Sequence, residues 1–264
     1  MATIVEMINP LTGLPEQVDK LDHTAQEIDG AVDLAPQLSN PNLLDNWYFG
    51  NPVNQRGQTS YTTAGYTIDC FLKESGGTII IENDGITVDA SNGAPNFIQK
   101  GDINKINSLL GKTVTLSALF SDNTLLNATG TFPDTIPAST DVVVCQVNSS
   151  GIMLSTQLFG MAKSYQLFRF TLDSGNTKKL KAAKLELGSQ QTLAHQDADG
   201  NWVLNEIPDY GEQLARCQRY FQTFATESLR PTNALDFRPV MRATPALSTI
   251  TVGGKTLYTA SADL

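Results

Sequence analysis

The sequence predicts a mainly β protein, a sandwich or barrel behind a short helical N-terminus, on three observations. Runs rich in Thr, Val, Ile, Phe and Tyr recur between residues 66 and 187 and again near the C-terminus. Turn-forming pairs (Asn-Gly, Asp-Gly, Gly-Gly) fall between them at roughly ten-residue intervals, as in antiparallel sheets. Charged residues make up only 17 % of the 264 while 41 % are hydrophobic, so there is a core to bury and a surface made polar by Thr, Ser, Asn, Gln and Gly.

Taken in chain order, the helical segment comes first. Leu11, Leu14, Val18, Leu21, Ala25, Ile28 and Val32 follow alternating steps of three and four, a narrow heptad stripe with polar residues on the other faces. Pro15 suits a first helical turn, so the spacing predicts a helix starting at residue 14 or 15, with Leu11 flanking it. So short a coil, with Gly30 inside it, is marginal alone and needs the following domain to hold it. A stripe this narrow points to self-association through Leu14, Val18, Leu21, Ala25, Ile28 and Val32. Docking of the helix on its own domain is the alternative. β-Branched residues at both core positions lean towards three strands. "APQLSNPNLLDN" then reads as a linker with Pro36 and Pro41. The chain is therefore divided into residues 1–40, stalk and linker, and 41–264, a β-rich body.

In the body, residues 66–71, 78–83, 86–90, 113–121, 141–147, 164–172 and 179–187 read as strands. In "SYQLFRFTL" the alternation places Phe168, Phe170 and Leu172 on one face and Tyr165, Leu167 and Arg169 on the other. In "KAAKLEL" it sets Ala183, Leu185 and Leu187 against Lys184 and Glu186. Residues 101–112 and 210–221 carry the helical period, with Ile103, Ile106, Leu109 and Leu110, and with Leu214, Cys217 and Phe221. The tail, 246–260, reads as a hairpin about Gly253-Gly254.

Charge and cysteines limit the function classes. The net charge is −9 and the pI about 4.7, so nucleic acids and anionic membranes lack a basic face to meet. No apolar run is long enough for a transmembrane helix, and the N-terminus lacks the regions of a secretory signal. Cys70, Cys145 and Cys217 are odd in number and set in apolar contexts, which points to buried free thiols and folding in a reducing cytoplasm.

Four segments occur in order: "NLLDNWYFGNPVNQRGQ" (42–58), "AAKLELGSQ" (182–190), "YGEQLARCQRYFQ" (210–222) and "MRATPAL" (241–247). Together they resemble the receptor-binding or tail-fibre head domains of tailed phages and prophages, over roughly residues 42–264. The resemblance implies a carbohydrate-binding-module-like jelly-roll β-sandwich behind a trimeric coiled-coil stalk. It implies a virion protein assembled in the host cytoplasm. The implied partners are other copies of itself, other tail proteins through the N-terminal segment, and a bacterial surface polysaccharide. The chain departs from the pattern in a longer, more polar loop at 191–209. A purely structural virion fibre, spike or decoration protein is the alternative.

Candidate sites point to binding rather than catalysis. His23 lies at a polar heptad position, and His195 has no Ser or Cys motif beside it. Motifs of serine hydrolases, zinc proteases and phosphate-binding loops are absent, so no catalytic residue, metal ligand or cofactor is assigned. "DADGN" (197–201) reads as a turn at Asp199-Gly200 rather than a calcium loop. Trp202, with His195, Asp199 and Asn201, has the residue types of sugar recognition, an aromatic face beside hydroxyl-binding groups. The alternative for Trp202 is loop anchoring or packing at a subunit interface. Trp47, Tyr48 and Phe49 are expected to pack where stalk meets body.

Overall fold

The computed structural model describes residues 4–8, 15–19, 39–231 and 236–263, and the chain divides into two compact units, 1–37 and 38–264. In the first unit, β1 (Ile4–Ile8) and β2 (Pro15–Asp19) form an antiparallel hairpin with Ile4 opposite Asp19 and Ile8 opposite Pro15. Over 15–19, Val18 included, the chain is thus extended, where the heptad spacing predicts the first helical turns. Pro15 opens a strand as readily as a helix, and the partner run "IVEMI" is rich in β-branched, apolar residues. Leu14, Leu21, Ala25, Ile28 and Val32 lie outside the described residues, so the rest of the predicted stalk does too.

The body is a two-sheet antiparallel sandwich. One six-stranded sheet runs β10 (Leu125–Thr131), β9 (Thr113–Phe120), β14 (Thr177–Leu187), β7 (Gly85–Asp89), β6 (Thr78–Glu82), β3 (Ser60–Tyr61). The other runs β11 (Asp141–Ser149), β12 (Ile152–Phe159), β13 (Ser164–Leu172), β8 (Pro95–Lys100), β5 (Phe71–Ser75), β4 (Gly65–Tyr66). Phe71 stacks on Phe97 at 4.6 Å between centroids, with Phe49 and Phe168 edge-on to both. Phe120 of the first sheet meets Phe170 of the second at 5.8 Å. Such ring contacts add to the area burial that drives the two apolar faces together.

The expected faces of β13 hold for Phe168, Phe170 and Leu172, all buried. Leu167 is buried as well, because register shifts opposite β8 between Gln166 and Phe168. Such a bulge turns one extra side chain inward, which strict alternation cannot show. The run 66–71, expected as one strand, instead ends β4 at Tyr66, turns over 67–70 and opens β5 at Phe71, whose N–H donates to the Ile68 carbonyl at 3.1 Å.

Residues 42–49 are an irregular segment that runs beside β14, with one isolated antiparallel bridge between Tyr48 and Ala182. Beyond Leu180, where β7 leaves it, β14 bonds this segment instead: Leu43 N to Leu185 O at 2.8 Å, Ala183 N to Trp47 O at 3.1 Å, Phe49 N to Lys181 O at 2.9 Å. Trp47 and Phe49 are therefore buried core residues of the body rather than junction residues. Asn46, at φ 54°, is the buried hub of the following loop: its amide donates to the carbonyls of Val53 and Asp69 and accepts from Val53 N–H.

Two α-helices stand among the described residues, where the period placed them: α1 (Ile103–Leu109) and α2 (Tyr210–Cys217). Asp102 and Asp209 cap them through Lys105 N–H and Glu212 N–H. After α2 come β17 (Phe221–Phe224), β18 (Ala246–Val252) and β19 (Lys255–Ser261), a three-stranded sheet with β19 in the centre. The predicted Gly253-Gly254 turn joins β18 to β19, both glycines at positive φ.

Candidate functional site

The long loop after β14 folds back on the first sheet. Lys184 and Glu186 alternate outward as the sequence predicts, yet both are fully buried, because residues 188–207 strap over them. Lys184 Nζ donates to the Ser39 and Thr192 hydroxyls and meets Glu206 Oε1 at 3.3 Å. Glu186 accepts from the Thr192 N–H at 2.6 Å and from its hydroxyl. Two charges far from water survive only when paired and hydrogen-bonded, which these are.

The strap carries a small hairpin, β15 (Ala194–Gln196) and β16 (Trp202–Leu204), with Gln196 opposite Trp202 and His195 opposite Val203. Asp197 organises its tip, accepting from Asp199 N–H at 3.0 Å and Asn201 N–H at 2.8 Å. Those bonds, first that from Asn201, hold its carboxyl below the usual range. Asn123 of the β9–β10 turn anchors the hairpin, taking Trp202 N–H at 2.7 Å and donating to Gly200 O at 3.3 Å.

Trp202 lines a cleft of about 450 Å³ with Tyr48, Asn83, Asp84, Lys181 and Ile207. The elements converge from four stretches of chain: the 42–49 segment, the β6–β7 turn, β14 beside it, and the strap. Gly50 lets the Tyr48 ring lie where it does, since a Cβ there would sit 2.8 Å from it. Asp84 bonds Lys179 at 2.9 Å, and Lys179 also meets Glu82 at 2.8 Å. Those bonds hold both carboxyls below their ordinary range, so they stand ionised as acceptors at neutral pH. A general acid needs a raised pKa, so neither is suited to glycosidic protonation. The carboxyls with raised values, Asp69 at about 6 and Asp263, both through burial, are held about Arg56 instead.

Of the predicted binding residues, the cleft takes Trp202 alone. His195 sits on the exposed side of the hairpin with Nδ1 at 2.5 Å from Asn205 Oδ1, and Asp199 and Asn201 occupy the exposed tip. Tyr48, Asn83, Asp84 and Lys181 escaped sequence reasoning as site residues. Asn83 and Asp84 are visible in the sequence only as a turn signal, and nothing local places that turn beside Trp202.

A second polar surface lies on the outer face of β8, β12 and β13. Arg169 donates to Thr171, Gln157 and Asn96 there, so its guanidinium is satisfied within the face. Compared with known proteins, the chain matches no family model, no curated protein and no solved structure.

Proposed function

We propose that this chain is a non-enzymatic attachment protein of the phage tail-fibre type, binding a bacterial surface polysaccharide through the cleft at Trp202. The observation that carries the reading is the pairing of two aromatic side chains, Tyr48 and Trp202, with an amide, a carboxylate and an ammonium group in one open cleft. Aromatic faces stack on the apolar faces of sugar rings, while Asn83, Asp84 and Lys181 suit hydroxyl groups. In this reading the sandwich is a jelly-roll head. Residues 1–37 supply the self-association that joins three weak sites, and linkage raises their effective concentration. The ligand is a neutral or weakly charged polymer, given a net charge of −9 on the chain.

The test is binding of the intact chain to an array of bacterial surface polysaccharides, beside Trp202→Ala and Tyr48→Ala. Binding that falls at least tenfold in both variants supports the cleft. Binding unchanged in both removes the cleft from the reading. A structural virion role is the second reading, favoured by apolar side chains at the rim: Ile207 is 67 % exposed and Val203 42 %. Protein interfaces recruit such side chains more than sugars do.

A further inference from the structure

Cys70 and Cys217 are 147 residues apart in the chain, yet their sulfurs approach to 3.7 Å in the interior. Cys70 closes the turn that precedes β5, and Cys217 is the last residue of α2. The third cysteine, Cys145, is buried on β11 at the far edge of the same sheet. Cys70 holds a left-handed backbone, φ 68°, which few side chains adopt without a tertiary reason. Cys70 also lines a cavity of about 10 Å³ with Asp45, Tyr66, Gln99, Lys100, Tyr220 and Asp263. That is room for a water-sized molecule and far too little for a peptide disulfide.

We propose that Cys70 and Cys217 are an oxidation site, a thiol pair that a small peroxide closes into a disulfide clamping the C-terminal module to the sandwich. The route is balanced in two steps. Cys70 gives up its thiol proton and its sulfur attacks one peroxide oxygen; the O–O bond breaks, leaving a sulfenic acid, and from hydrogen peroxide the departing hydroxide takes up the proton as one water. The Cys217 sulfur then attacks the sulfenic sulfur, forming the S–S bond and releasing a second water. Two thiols are oxidised and one peroxide is reduced. A shift of under 2 Å closes the gap from 3.7 Å to the roughly 2 Å of a disulfide.

The surroundings set the rate. The Cys70 thiol lies well above its ordinary value, first through its bond towards Cys217 and then through burial. For Cys217 the contact with Cys70 pulls down while burial pushes up, and the net shift is upward. The attacking species is the thiolate, so closure is slow at neutral pH and faster in mild alkali. The bond tightens an existing junction, where Gln55 Nε2 donates to Phe221 O at 2.7 Å and Arg56 bridges Asp69 and Asp263.

The experiment treats the full chain with hydrogen peroxide at mildly alkaline pH, then alkylates it after denaturation and maps the peptides. The expected result is loss of two of the three free thiols, a linked Cys70–Cys217 peptide, Cys145 still alkylated, and a melting temperature raised by several degrees that dithiothreitol reverses. Cys145→Ala retains the cross-link, whereas Cys70→Ala and Cys217→Ala each abolish it. Three alkylated thiols after oxidation overturn the proposal. So does a link through Cys145, or a Cys70 oxidised to sulfinic acid with no cross-link. The peptide map of the unmodified chain decides the matter even where a variant fails to fold.

Discussion

At Gly130 the backbone of β10 runs so close to β11 that a Cβ would lie 1.8 Å from the Val144 carbonyl oxygen. Gly130→Ala therefore forces the two strands apart, and overpacking of this kind costs about 2–3 kcal/mol. Urea unfolding checks it, and an unchanged midpoint would show that the sheets' shared edge yields freely. The buried Lys184 makes a sharper contrast. Lys184→Ala leaves Glu186 without its counter-ion beneath the strap, at a cost of about 3–5 kcal/mol. Glu206, the half-exposed partner of the same lysine, is worth under about 1 kcal/mol in Glu206→Gln. The two variants share a lysine, so equal losses would contradict the role given to burial. Alternation in the sequence turns both Lys184 and Glu186 out of the sheet. That direction holds, but neither side chain reaches solvent, because the loop that follows β14 lies over them as a compact cover.

Among the elements, the strap is the one whose fold the sequence shows least. Its hairpin tip depends on one side chain, Asp197, rather than on the Asp199-Gly200 pair alone. Asp197→Ala is expected to speed amide exchange at Asp199 and Asn201 while leaving the melting temperature unchanged, because the tip is exposed and the hairpin is anchored at Asn123 and Thr192. A fall in melting temperature of several degrees would mean that the tip supports the core. Strands with clean alternation or dense β-branching, β6, β7, β9 and β13, were legible. The strands β8, β10 and β12 were not. β8 opens on Pro95, β10 carries Gly130 and a weak apolar face, and β12 has a register shift between Ser155 and Gln157. In each the partner strand supplies the order that the local pattern lacks.

For the molecule as a whole, pH acts through the junction of sandwich and C-terminal module. Asp69 and Asp263 share Arg56, and burial raises both carboxyls, Asp69 to about 6. A group whose folded value exceeds its unfolded one stabilises fully below the unfolded value of 3.8, and that contribution is lost as pH rises through about 6. Stability therefore increases from pH 7.5 to pH 5, by on the order of 1 kcal/mol from Asp69. Below about 4 the trend turns, as exposed carboxylates held low by their bonds, Asp89 and Asp197 among them, take up protons. Urea midpoints at pH 5 and 7.5 test the sign, and a higher midpoint at 7.5 refutes it. On the proposed self-association, removing residues 1–37 is expected to lower the particle mass seen by light scattering while the β-rich body stays folded. The cut belongs before Ser39, whose hydroxyl accepts from Lys184, and before Asn40, which bonds Thr192 and Leu187. An unchanged mass removes the N-terminal segment from the assembly.

The sequence by itself determined the mainly β class, both helices, the C-terminal hairpin and the inward faces of β13, because these follow from periodicity and turn chemistry within a few residues of chain. Only the tertiary structure decided that residues 42–49 bond along β14, that a strap buries Lys184 and Glu186, and that Tyr48, Asn83 and Lys181 line one cleft with Trp202. Cys70 and Cys217 belong to the same group. Each of these depends on contacts between segments distant in sequence, and in an antiparallel sandwich such contacts are set by strand register and sheet packing, which no local pattern records.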